Sequence, residues 1–388
     1  MHSFYSMNAL DHLLWTAVVF VLLRTMRAVT VRQQYRRWLA FGLLLGLGLL
    51  NKYSIGLLIL GLLVGCLLTE RRALFKERWP WLAAGAALLV FLPHLLWQLA
   101  QGFPTLEFIH NAAFYKNTPP GVFTLLAESL LHLTPVGFLL LVAACVHGFS
   151  KSGRPRRFLV WVYPVAFALT ALGGKTYYLA PVFLILVPLG AVAFEGWAAR
   201  GWRWLRYTVP VLFALLSLAS LPPALPVLSP QRSADYAAAL GLVPQLGLQR
   251  AEVLPQYFAD RFGWPELVET LAVVHGSLTP AQRADCGVFC TNYGQAGAVV
   301  HFAPAYGLPP ATCPHNSYWH WGPPPTHRTW IVVGALAAEL KELFADVELK
   351  TNFSHPWVMD YEDDKPIWLC SEPLADLAEL WPELRFYL

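Results

Sequence analysis

Charge is scarce in this chain, and acid is scarcest where the chain is most apolar. Only 13% of the 388 residues are charged and 56% are hydrophobic, with a mean hydropathy of +0.46. One water-soluble globule is excluded, because too little polar surface is available to cover it. Residues 1–225 hold 6 Asp/Glu against 19 Lys/Arg, whereas residues 226–388 hold 18 against 9. Opposite charge and unequal hydropathy predict two domains, a membrane part over 1–225 and a soluble part over 226–388. The acidic part lacks a basic stripe interleaved with aromatics, so a nucleic-acid partner is not expected. "NYGQAG" lacks a phosphate-loop pattern, which argues against nucleotide binding. The opening "MHSFYSMNALDHLLWTAVVFVLLRTMR" has no basic leader and no small-residue cleavage site. It reads as a retained helix rather than a signal peptide, with Asp11 near one end and Arg24 and Arg27 at the other. Neither an inverted repeat nor a pair of midplane acids is visible, which disfavours a transporter.

What is present is long and apolar. Runs at 9–23, 38–50, 54–68, 79–99, 121–149, 158–172, 177–199 and 207–227 predict about eight membrane helices. Between them lie four basic clusters, "RTMRAVTVRQQYRR", "ERRALFKER", "KSGRPRR" and "RGWRWLR", which together hold 16 of the 19 basic residues. The positive-inside rule assigns all four to the cytoplasm. Two cytoplasmic clusters are joined by an even number of crossings, so each intervening segment is a hairpin with its tip outside. The N-terminus and the acidic C-terminal part then lie outside as well.

The three remaining cations, Lys52, Lys116 and Lys175, fall one in each outer turn. A lone lysine at a helix end ordinarily snorkels to the interface. Three of them on one side, against so strong a bias, point instead to an outward-facing anionic site at headgroup depth. A lipid phosphate is the anion expected there. "GGKTYYLAP" supports this, since two glycines bring backbone close to a ligand, Lys175 adds charge, and Tyr177 and Tyr178 add hydroxyls and flat faces. In the 100–120 loop, Glu107 and His110 stand at i and i+3. A helical turn would put them on one face as an acid/base or metal-ligand pair.

Beyond 226 helical and extended patterns alternate, which predicts an α/β domain around a largely parallel sheet, closed by a helix over "PLADLAELWPEL". Cys66 and Cys145 sit in apolar helices as packing residues. Cys286, Cys290, Cys313 and Cys370 allow three disulfide pairings, none of them chosen by sequence. The spacing of Cys286, Cys290, Cys313 and His315 is not that of a zinc knuckle, and no metal ligand set is assigned. "YEDDK" reads as a solvated acidic cluster.

Taken in order, "FYSMNALDHLLW", "GLGLLNKYS", "PHLLWQLAQGFPTLEFIHNA", "GGKTYYLAPVF", "LPQYFADRFGWPELV", "TNYGQAGAV", "GLPPATCPHNSYWHWGP" and "LAELWPELRFY" resemble the bacterial glycosyltransferase family 39-type membrane proteins. These are related to dolichyl-phosphate-mannose protein mannosyltransferases and to aminoarabinose transferases acting on lipid A. The resemblance implies an α-helical polytopic membrane protein with a GT-C-like bundle and a C-terminal extracytoplasmic α/β domain, in a bacterial inner membrane. It implies transfer of a sugar from a polyprenyl-phosphate donor to a lipid, glycan or protein acceptor, with a divalent metal left open as cofactor. It also implies that Lys52, Lys175 and Tyr178 stand in turns near the lipid phosphate. The family's catalytic acidic pair, often Asp-Glu, belongs to a loop that would precede Met1, so the resemblance assigns no catalytic residue here. A non-catalytic lipid-binding or partner protein, or a truncated pseudoenzyme, is the alternative.

Overall fold

The computed structural model describes residues 6–116, 119–225, 227–240 and 254–388, apart from the side chains of Lys116 and Pro223. The chain divides into two compact units. Met1–Pro104 and Ala113–Leu225 form the first, and Thr105–Ala112 and Pro226–Leu388 form the second.

The first unit is helical: α1 (Met7–Thr25), α2 (Val31–Asn51), α3 (Ile55–Leu67) and α4 (Arg78–Ala100), then, after α5 (Pro104–Asn111), α6 (Val122–Phe149), α7 (Arg157–Val160), α8 (Val162–Gly173), α9 (Ala180–Ala199), α10 (Leu205–Ala219) and the short α11 (Leu221–Ala224). Ser6 and Thr30 start α1 and α2 by accepting from the backbone N–H of Asn8 and Gln33, which satisfies donors a first helical turn leaves open. Four stretches among the described residues are long and apolar enough to cross a membrane: Met7–Thr25, Arg78–Ala100, Val122–Phe149 and Thr176–Ala199. The other four apolar runs of the sequence are shorter or diluted. The first two turns of α2 carry Arg32, Arg36 and Arg37. Only 13 residues form α3 and 15 form α10, and the run at 158–172 divides at Trp161 into α7 and α8.

Helices approach closely where glycine removes the side chain. A Cβ on Gly42 of α2 would stand 2.3 Å from the Ala83 carbonyl oxygen of α4, and one on Gly65 of α3 would stand 2.0 Å from that of Phe158. Backbones this close maximise van der Waals contact, which drives helix association where no water is available to expel. In α6 the backbone turns at Thr134 (φ 60°, ψ 162°) just before Pro135, a kink of the kind proline imposes by removing one helical hydrogen bond.

The second unit contains α12 (Pro230–Ala239), α13 (Gln256–Ala259), α14 (Trp264–Gly276), α15 (Pro280–Ala284), β1 (Cys286–Cys290), α16 (Tyr293–Phe302), β2 (Ala311–Thr312), β3 (Thr329–Val333), α17 (Ala337–Leu343), β4 (Phe344–Phe353), β5 (Lys365–Pro373) and α18 (Leu377–Leu380). The sheet order is β2-β1-β3-β5-β4. β1 is parallel to β2 and β3, but β5 is antiparallel to β3 and β4. The sheet is therefore mixed rather than largely parallel. The cause is the helix-free connection at 354–364, since a parallel return needs a crossover of a dozen or more residues, usually helical. The expected closing helix shrinks to the single turn Leu377–Leu380, since Pro382 just beyond it lacks the N–H that would donate the next helical hydrogen bond.

Both faces of β3 are covered, so all five residues are buried. Ile331 and Val333 pack with Leu267, Val268 and Leu271 of α14, while Trp330 and Val332 pack with Leu340, Phe344 and Leu377. This explains the unbroken apolar run "WIVV" in place of alternation. At the carboxyl end of β1, Asn292 caps α16, and its Nδ2 and the Nε2 of Gln295 donate to Glu362, each at 2.9 Å. Burial raises the Glu362 carboxyl above its usual 4.5, against the pull of those two donors and Lys365. The folded chain then keeps a proton that the unfolded chain has lost, so Glu362 contributes stability fully below 4.5, and this is lost as pH rises through the folded value. Thermal melts of the second unit across that range should show this downward slope, and Glu362→Gln should remove it.

Candidate functional site

The α2–α3 turn places four consecutive side chains in defined company. Asn51 Nδ2 donates to the Met7 carbonyl at 3.0 Å, and Lys52 Nζ donates to Asn8 Oδ1 at 2.5 Å. Tyr53 Oη bonds His94 Nε2, which also lies 3.2 Å from Gln98 Nε2. Ser54 Oγ donates to Asp11 Oδ2 at 2.7 Å. Three of the four residues hold the turn to the start of α1, and Tyr53 holds it to α4. Asn8 and Asp11, at i and i+3, share one face of α1. Asp11 is 2% exposed, and its Oδ1 has no hydrogen-bond partner.

The turn after α8 supplies the other wall. Gly174 lies against Thr170, where a Cβ would come within 2.9 Å of the Thr170 Cα, and a 3₁₀ turn over Thr176–Leu179 leads into α9. Tyr177 and Tyr178 meet edge to face, with centroids 5.0 Å apart. The Lys52 ammonium stands over both rings, 4.9 and 5.2 Å from their centroids, a favourable cation–π placement. Lys175 is near enough to Lys52 to repel it, and Asp11 near enough to attract it. Two ammonium groups and one carboxylate thus lie within electrostatic reach of one another, beside two tyrosine rings. In half-buried surroundings such a group of donors favours an anion more strongly than the same charges would in water.

Of the residues singled out in sequence, the structure thus brings together Lys52, Lys175, Tyr177 and Tyr178. Lys116 closes the π-helical turn Ala112–Lys116, and its side chain lies outside the described residues. Glu107 and His110 belong to the second unit. There Glu107 Oε2 accepts from Arg385 Nη2 at 2.6 Å, Asn111 Nδ2 donates to the Tyr387 carbonyl at 2.8 Å, and His110 is exposed. Glu107 is therefore paired with a cation and not with His110. Among the described residues no three His, Cys, Asp or Glu side chains converge as a metal-holding set. A hydrogen bond to a charged group contributes about 1.5–3 kcal/mol, so Arg385→Ala should speed amide exchange across α5 by about 10- to 100-fold, measured by hydrogen–deuterium exchange.

Asn8, Asp11, Ser54 and His94 are the members that sequence reasoning passed over. One signal was available: Asp11 is the sole acid before Glu70, and an acid in an apolar helix needs a partner.

No curated protein and no solved structure matches the chain. Residues 1–97, which carry Asn8, Asp11, the 51–54 turn and His94, match the family model described as dolichyl-phosphate-mannose-protein mannosyltransferase, so that over its first quarter the chain is similar to a family of membrane glycosyltransferases.

Proposed function

We propose that this chain is a membrane glycosyltransferase of the GT-C type, taking a sugar from a polyprenyl-phosphate donor and passing it to an acceptor outside the cytoplasm. The observation that carries this is the Lys52 ammonium, set over Tyr177 and Tyr178 with Lys175 beside it. In an inverting transfer a carboxylate takes the acceptor's hydroxyl proton, the oxygen attacks the sugar C1, and the lipid phosphate leaves with the bonding pair. Negative charge grows on that phosphate, and fixed cations aimed at it lower the barrier. Lys52 and Lys175 fill this role. Asp11 and Asn8 position Lys52, and Tyr177 and Tyr178 offer faces to the donor. The positive-inside bias supports a multi-pass topology with the second unit outside, and the family resemblance implies a bacterial inner membrane.

Membranes containing the protein should move label from a radiolabelled polyprenyl-phosphate sugar to endogenous acceptor, and background-level transfer would refute the enzyme reading. The non-catalytic reading draws on a separate observation. The acid that attracts Lys52, Asp11, is buried against Ser54 and is not presented as a base. That reading predicts saturable binding of a polyprenyl phosphate without transfer.

A further inference from the structure

Helix α5 wears its polarity the wrong way round for a helix on a water-soluble domain. Its protein-facing side carries Glu107, bonded to Arg385, and Asn111, bonded to the Tyr387 carbonyl, between the buried Pro104 and Ala112. Arg385 in turn lies 5.6 Å from the Trp319 ring centroid and 5.7 Å from that of Tyr387. The opposite side presents Leu106 and Ile109, 61% and 56% exposed, at the i, i+3 spacing of one helical face. In water the pattern would be reversed, with apolar residues inward and charged residues outward. Chain connectivity limits what can cover this face. α5 lies between α4 and α6, both long and apolar enough to span a membrane. Pro104 follows Ala100 by four residues, a reach of at most about 14 Å.

We infer that the outward face of α5 rests in the headgroup and acyl boundary of the bilayer, with Leu106 and Ile109 as its apolar contacts. The Glu107–Arg385 and Asn111–Tyr387 bonds on its other side then fasten the second unit to the membrane surface. The inference rests on α4 and α6 being spans, and not on any sugar transfer. The test is a photoreactive benzophenone amino acid at Leu106 or Ile109 in the full-length protein, reconstituted in phospholipid nanodiscs and analysed by mass spectrometry. Leu336, 66% exposed in the same unit, serves as the reference site. Lipid adducts several-fold above those at Leu336 are expected at both positions. Crosslinks to another segment of the chain, or lipid adducts no more abundant than at Leu336, would overturn it.

Discussion

Lys52→Ala is expected to reduce sugar transfer by about 100-fold or more, the loss seen when one preorganised donor is removed from a developing negative charge. The side chain also holds Asn8 at 2.5 Å, so structural damage must be separated from lost charge. Asn8→Ala removes the same hydrogen bond and keeps the ammonium over Tyr177 and Tyr178. Its cost should be clearly smaller than that of Lys52→Ala, since the hydrogen bond is lost but the charge stays. Lys175→Ala removes the second charge and should also lower transfer. Equal transfer by wild type, Lys52→Ala and Lys175→Ala would remove both residues from the mechanism, whatever the family similarity of residues 1–97.

The largest effect on stability is expected at Gly65. A Cβ there would sit 2.0 Å from the Phe158 carbonyl oxygen and 2.9 Å from its carbon, so the clash is with backbone and no rotamer relieves it. Gly65→Leu must push α3 away from the α7 segment, whose Phe158, Leu159 and Val160 are among the most deeply buried residues of the bundle. Overpacking of this kind costs about 1–3 kcal/mol and more where backbone must move. Gly56, with nothing near its Cβ position, is the matched control on the same helix. In detergent, thermal inactivation of Gly65→Leu should come well below wild type, with Gly56→Leu near it. Similar midpoints for the two variants would show that the α3 contact contributes little.

Legibility in the sequence followed the range of the interactions. Charge parity needs no tertiary information, and it put Lys52 and Lys175 into turns on one side of the bundle. The structure sets them beside Tyr177 and Tyr178. By contrast Asn8, Asp11, Ser54 and His94 acquire meaning only through partners more than 40 positions away, which no local pattern reports. Glu107 misled for the same reason. Its i+3 neighbour His110 is close in sequence, but a guanidinium 278 positions on takes the carboxylate. In the second unit, strand identity was readable from "CGVFC", "TWIVVG" and "PIWLC", whereas the expected largely parallel direction fails at β5, which is antiparallel to both its neighbours. The unused clue was the helix-free stretch between "DVELKTNF" and "PIWLC".

All six cysteines are free. Burial pushes the thiols of Cys286 and Cys313 up to about 11 and that of Cys370 to about 12, and it raises that of Cys290 well above its ordinary value too. Thiolate is the species that attacks oxidants and disulfides, and at neutral pH almost none forms at these positions. With its four thiols free and buried, the sheet domain is expected to keep its covalent framework, and its melting midpoint, when dithiothreitol is carried through a purification.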